Sequence, residues 1–177
     1  GRKRICKYLF ENGAESDIYI ESILGNLDNV KRLVQKNHEI VKAKDDESVS
    51  SLYYAVLGGN EKVVEFLISQ GAEVNSKNGS NEVTPLHRAD NAAVAMLLII
   101  NGAEVNVKDK DKKTPLHSQT YYHNIEVVKL LLGANADVNA NSEHAGTPLH
   151  IAADKGHEDI AKLLIEKGAK LNTFSGR

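Results

Sequence analysis

The sequence predicts an all-α solenoid of stacked antiparallel helix pairs joined by β-hairpin-like loops. Three markers that run in register predict it. The tetrapeptide Thr-Pro-Leu-His stands at 84–87, 114–117 and 147–150, and a degraded copy, Ser50-Ser51-Leu52-Tyr53, stands upstream. The Leu of each copy is 34, 30 and 33 residues from the one before it. Gly71-Ala72, Gly102-Ala103, Asn135-Ala136 and Gly168-Ala169 follow at separations of 31, 33 and 33. Each is trailed by Val74-Asn75, Val105-Asn106, Val138-Asn139 or Leu171-Asn172. Such a unit buries its apolar face only against its neighbours, so the chain is an elongated stack with a narrow continuous core.

Each part of the unit has a local cause. Thr114 is suited to cap a helix with its hydroxyl. Pro115 then occupies the first helical position, where its missing N–H costs nothing. Leu116 faces inward, and small residues, Ala152 and Ala153 in the last unit, let the first helix lie close to its neighbours. A turn falls at Gly156-His157. The second helix is expected over 158–167, with Ile160, Leu163 and Leu164 at helical spacing. Gly168 ends it in the left-handed region, where Gly is favoured and Asn, as at Asn135, is the rarer choice. The stretch 107–113 reads as the extended loop that returns the chain to the next Thr-Pro.

These residues resemble the ankyrin repeat. The last full unit follows that family's pattern almost position for position from Gly146 to Ala169, and the resemblance spans roughly 5–172. It implies a single array: a partial repeat at 5–15, a divergent helix pair lacking Thr-Pro at 16–44, repeats at 45–77, 78–107, 108–140 and 141–173, and the start of a further one at 174–177. A fragment of a longer array is expected. The resemblance also implies that the motif histidines, His87, His117 and His150, bond neighbouring backbone rather than a metal. Zinc would need several ligands converging within about 2.0–2.3 Å of the ion, far less than one repeat spacing. His38, His123 and His144, outside the pattern, show no ligand spacing. The family further implies asparaginyl hydroxylation at Asn75, Asn106 and Asn139.

Departures from the pattern point to function. His87 to Gly102 is 15 residues, whereas Tyr53 to Gly71, His117 to Asn135 and His150 to Gly168 are each 18. Three residues are missing near Asp90-Asn91, which clips a first helix and leaves either drift or a local dent that admits a partner side chain. The next repeat has Gln119-Thr120 in place of the small pair and His123 in place of Gly. The buried amide and hydroxyl need partners, either across the stack or in solvent. Tyr121 and Tyr122 end that helix at positions the resemblance places on a concave binding face, where Tyr supplies area and a polar handle. Leu57-Gly58 and Asp154-Lys155 are the equivalent positions elsewhere. The loop tips add charge: Asp45-Asp46-Glu47 is acidic, and the 108–113 run, with Lys110, Lys112 and Lys113, is basic. Such a gradient orients a charged partner. Asn78-Gly79-Ser80 matches a glycosylation sequon and also suits a turn.

The formal charge of −2 gives no argument for a nucleic-acid partner. No apolar run approaches the ~20 residues that span a bilayer, so no membrane insertion is expected from this segment. Cys6 stands alone, so no intramolecular disulfide is expected and a reducing compartment is favoured. A cytoplasmic location follows, with a nuclear one left open by Arg2-Lys3-Arg4. No nucleophile–base pair, phosphate loop or carboxylate pair is tied to a cleft, so neither an enzyme nor a cofactor is expected. The favoured function is non-catalytic binding of a protein or peptide. The rival is a targeting or assembly module of a larger enzyme, toxin or host-directed effector. The excess of 17 Lys over five Arg fits the effector version, as a hint of an AT-rich genome.

Overall fold

The computed structural model describes residues 17–172. The partial repeat expected at 5–15 and the segment 174–177 lie outside them. Helices come in antiparallel pairs: α1 (Ile18–Leu24) with α2 (Leu27–Lys36), α3 (Ser51–Leu57) with α4 (Glu61–Ser69), α5 (Pro85–Arg88) with α6 (Ala92–Ile100), α7 (Pro115–Tyr121) with α8 (Ile125–Gly133), and α9 (Pro148–Lys155) with α10 (Glu158–Glu166). A 3-10 turn, His38–Val41, follows α2. First helices pack in sequence to form an inner layer, and second helices form an outer one. No strand occurs among the described residues. The loops close instead through single antiparallel bridges, Lys44 to Ser50, Asn78 to Val83 and Ser142 to Gly146.

The core runs the length of the stack. Leu52, Leu86 and Leu116 of the inner layer are buried beside Val63, Val64 and Leu67 of α4, Val94, Ala95 and Leu98 of α6, and Val127, Val128 and Leu131 of α8. Burying a branched aliphatic side chain stabilises by about 1.5–3 kcal/mol, so these rows hold the layers together. Ala152 is buried as expected. Ala153 is exposed, because Val56 and Thr120 at that position are covered by the next first helix, and no further first helix lies among the described residues after α9.

His87 and His117 each link two repeats. The backbone N–H of Thr84 points at His87 Nδ1 (3.2 Å), and Thr114 and Thr147 do the same to His117 and His150. A backbone N–H only donates, so Nδ1 is the acceptor and the proton sits on Nε2. That proton is donated to the Lys113 carbonyl by His87 and to the Gly146 carbonyl by His117, both at 3.0 Å. One imidazole thus closes its own helix N-terminus and pins the following hairpin. Asn75, Asn106 and Asn139 make a second set of links at the opposite loops. Each amide donates to a carbonyl of the next Gly-Ala or Asn-Ala turn, Gly102, Asn135 and Gly168. Each side-chain oxygen accepts the N–H of Glu104, Asp137 or Lys170.

At two positions a larger residue takes the left-handed conformation that other repeats give to Gly. His123 and Asn135 hold φ of +59° and +64°, so His123 adopts the left-handed turn that Gly156 takes in the last pair. Gly58 is constrained differently: a Cβ there would lie 2.5 Å from the Ile23 carbonyl and 2.3 Å from Asn60 Nδ2. Asn60 donates to the Ser22 and Ile23 carbonyls across that contact. Gly58 is therefore a close-packing position. The Asn78 sequon is also structural. Asn78 is buried, its amide donates to the Ser76 and Val83 carbonyls, and its oxygen accepts the Ser50 N–H, so the folded chain has no room for a glycan there.

Burial holds the His117 imidazole down to about 4, against 6.5 when exposed, with the Gly146 carbonyl opposing the shift. His87 is lowered for the same reason. Between those pH values the unfolded chain binds more protons than the folded one, so stability falls as pH falls. Urea unfolding should show stability dropping from pH 7 to pH 4.5, by about 2 kcal/mol for His117 alone. His117→Gln should flatten that slope. A flat profile in the unchanged protein contradicts the buried neutral imidazole.

Candidate functional site

The clipped helix sets the geometry of the inner face. With only four residues, α5 ends at Arg88, and its last carbonyls lose the N–H groups of a further turn. Gln119 of α7 supplies one replacement: it is fully buried and donates to the His87 carbonyl at 3.0 Å, while its oxygen accepts from Asn124. This is the across-stack pairing that the missing residues call for. Thr120 is equally buried, but its hydroxyl has no partner among the described residues. Arg88 itself reaches across the shortened repeat. Its guanidinium donates to the Tyr122 hydroxyl and lies 5.5 Å from the Tyr122 ring centroid, with Tyr53 near it on the other side. The gap left by three residues is thus spanned by Gln119 and Arg88.

Beside this bridge opens a cavity of about 660 Å³, between the hairpins and the inner helices α5, α7 and α9. Tyr121 and Tyr122 stand at its edge, 53% and 48% exposed, with ring centroids 5.3 Å apart at 90°. They are not core residues. Lys155 Nζ lies 4.9 Å from the Tyr121 ring centroid and 3.4 Å from Asp154. Each tyrosine therefore carries a cation against its face, an attraction of about 0.5–1 kcal/mol at exposed sites. Lys113, ion-paired to Asp111 at 3.1 Å, and His144 complete the hairpin side.

The structure brings Tyr121, Tyr122, Asp154, Lys155 and Lys113 together around this cavity and leaves the other expected residues outside it. Leu57 is half-buried at the end of α3 and does not reach the cavity. Lys110 and Lys112 are exposed on the hairpin tip, and Lys112 pairs with Glu143 at 2.9 Å, which holds that carboxyl below its usual range. Asp46 and Glu47 are exposed at the far tip. The basic tip is partly neutralised, Lys112 by Glu143 and Lys113 by Asp111. Asp45 accepts the N–H of Glu47 and Val49 and the Tyr54 hydroxyl. Asp109 accepts the N–H of Asp111 and Lys113. Both aspartates shape turns.

Arg88 was not singled out from sequence. Its signal was there: it follows the motif His in the one repeat whose helix is too short to cover that position. His123 and His157 stack at 4.1 Å, and His123 Nε2 lies 2.8 Å from Asp159. That bond lowers the Asp159 carboxyl. Among the described residues no group of three or more His, Cys, Asp or Glu is placed to hold a metal.

A family model of ankyrin repeats, in three copies, matches residues 18–109 and 86–175. The chain belongs to the ankyrin-repeat family. Ankyrin repeats are protein–protein interaction units. Palmitoyltransferase ZDHHC13 of Homo sapiens is 30% identical over 112 residues, 62% of this chain and 18% of the relative. Palmitoyltransferase AKR1 of Kluyveromyces lactis is 29% identical over 111 residues, 59% of this chain and 14% of the relative. A transient receptor potential cation channel subfamily A member 1 homolog of Caenorhabditis elegans is 27% identical over 117 residues, 64% and 10% respectively. The match thus spans less than a fifth of these relatives. Among the described residues of this ankyrin array, no helix is long and apolar enough to cross a membrane.

The neighbours Gln119 and Thr120 should respond oppositely to apolar replacement. Gln119→Leu strands the His87 carbonyl and should cost about 1–3 kcal/mol. Thr120→Val removes an unpaired buried hydroxyl at equal shape and should stabilise by about 1 kcal/mol. Urea unfolding of the two variants checks both signs.

Proposed function

We propose that this ankyrin array binds a protein or peptide partner, without catalysis, on its inner face and centred on Tyr121 and Tyr122. The observation that carries this reading is the pair itself. Two aromatic rings stand half-exposed at right angles beside a cavity, steadied by Arg88 and Lys155. Rigid aromatics of that kind supply contact area at small entropic cost, and they dominate interface energetics when a partner covers them. Asp154 and Lys113 would orient the partner. A longer partner would run on toward Leu57 and the Asp46-Glu47 tip, and Lys110 and Lys112 would meet it at the hairpins. No nucleic acid is part of this reading, and its setting is the cytoplasm.

A second reading has its own support. The relatives that are enzymes match over 14–18% of their length. In that reading the array is the targeting or assembly module of a larger enzyme, toxin or effector, and the inner face selects what is delivered to it. Hydroxylation of Asn75, Asn106 and Asn139 is carried as part of the proposal. Intact-mass measurement in cells with and without an active hydroxylase should show the gain of one oxygen per site. Identical masses would remove it.

The binding reading is tested with a partner isolated by affinity capture on the intact array. Tyr121→Ala together with Tyr122→Ala should weaken its binding by more than about 2 kcal/mol by calorimetry, with unfolding unchanged. A change within assay error takes the tyrosines out of the interface.

A further inference from the structure

Helix α6 differs from every other described outer helix. In repeat register, its positions 93, 96 and 100 correspond to Lys62, Glu65 and Ser69 of α4, to Glu126, Lys129 and Gly133 of α8, and to Asp159, Lys162 and Glu166 of α10. In α6 they are Ala93, Met96 and Ile100, and the helix has no polar side chain at all. All three are exposed, Met96 at 43% and Ile100 at 67%. The spacing i, i+3, i+7 puts them on one face as a stripe about two turns long. The stripe lies on the outer layer, with α4 and α8 on either side, and none of it borders the cavity.

Its border is acidic. Glu65 stands beside Met96 in register. Exposed Glu73, Glu104 and Asp137 follow one another on successive loops at the Ile100 end. Asn75 and Asn106 fix the Glu104 and Asp137 backbones at 2.8 Å each. On the α8 side, Lys129 is taken up by Glu126 at 2.8 Å, which leaves Lys62 as the cation on the α4 side. The negative end of the α6 dipole adds to the acidic end.

We propose that α6 docks an amphipathic helix of a partner protein whose apolar stripe ends in basic residues. Helix-on-helix docking reads anchors at i, i+3 or i+4, and i+7, the spacing that α6 presents. The acidic border selects basic flanks through complementary charge. It also disfavours an anionic membrane surface.

The test uses the whole chain and two labelled synthetic helices of about 16 residues, long enough to hold a helix. Both have Leu at i, i+3, i+4 and i+7, one flanked by Lys and one by Glu. Fluorescence anisotropy should show the Lys-flanked peptide binding at least about tenfold tighter. Met96→Lys with Ile100→Ser, residues that α8 and α4 carry at those positions, should abolish binding, as should Ile100→Ser alone in large part. Tyr121→Ala with Tyr122→Ala should leave it unchanged, which separates this surface from the inner face. Glu73→Lys with Glu104→Lys should reverse the preference. Equal binding of the two peptides, or binding that survives Met96→Lys with Ile100→Ser, overturns the proposal. So does α6-dependent association with phosphatidylserine vesicles or with a second copy of the chain.

Discussion

One imidazole, used in two directions, holds the structure in register. In the repeats of His87 and His117 it accepts the N–H of the Thr that begins its own helix and donates to a carbonyl of the following hairpin. Both partners are buried or nearly so, and an unpaired buried backbone group costs about 1–3 kcal/mol. The ring therefore has to stay neutral and in one tautomer. With that bond fixed, helix start, hairpin and neighbouring repeat share one geometry, and the buried leucines of successive inner helices fall into line. The asparagine links do the same work at the other loops, so each repeat is held at two ends.

The inner-face site arises where this scheme is interrupted. With three residues fewer, α5 ends early and leaves its last carbonyls without the partners of a further turn. The next repeat answers with side chains that the pattern elsewhere makes small: Gln119 turns inward to the orphaned carbonyl. Arg88 crosses the shortened repeat to Tyr122, which orients the tyrosine pair at the cavity edge. A sequence departure that weakens the repeat locally thus positions the groups best suited to recognition.

The fold was legible because its signals are local and repeated. Thr-Pro starts a helix, Gly or Asn ends one, and four copies agree. The same repetition exposed the shortened helix and the tyrosines. What was not legible depends on contacts between repeats. Asp45 and Asp109 look like surface charge until their turns close on them. Gly58 looks exposed until Asn60 of its own repeat fills the space. Arg88 acquires a role only when Tyr53 and Tyr122 are seen on either side of it. The apolar α6 was readable in principle, as a helix without a polar face, but a buried helix would read the same way. Only its exposure decides between the two.

The central claim, that the His87 and His117 imidazoles tie successive repeats together as neutral Nε2–H tautomers, is tested most directly by nitrogen-15 NMR of the histidine rings across pH. For His117 the account predicts a protonated Nε2, an unprotonated Nδ1 and no titration until pH nears about 4. A ring protonated at Nδ1, or one that titrates near 6.5 like an exposed histidine, would contradict it.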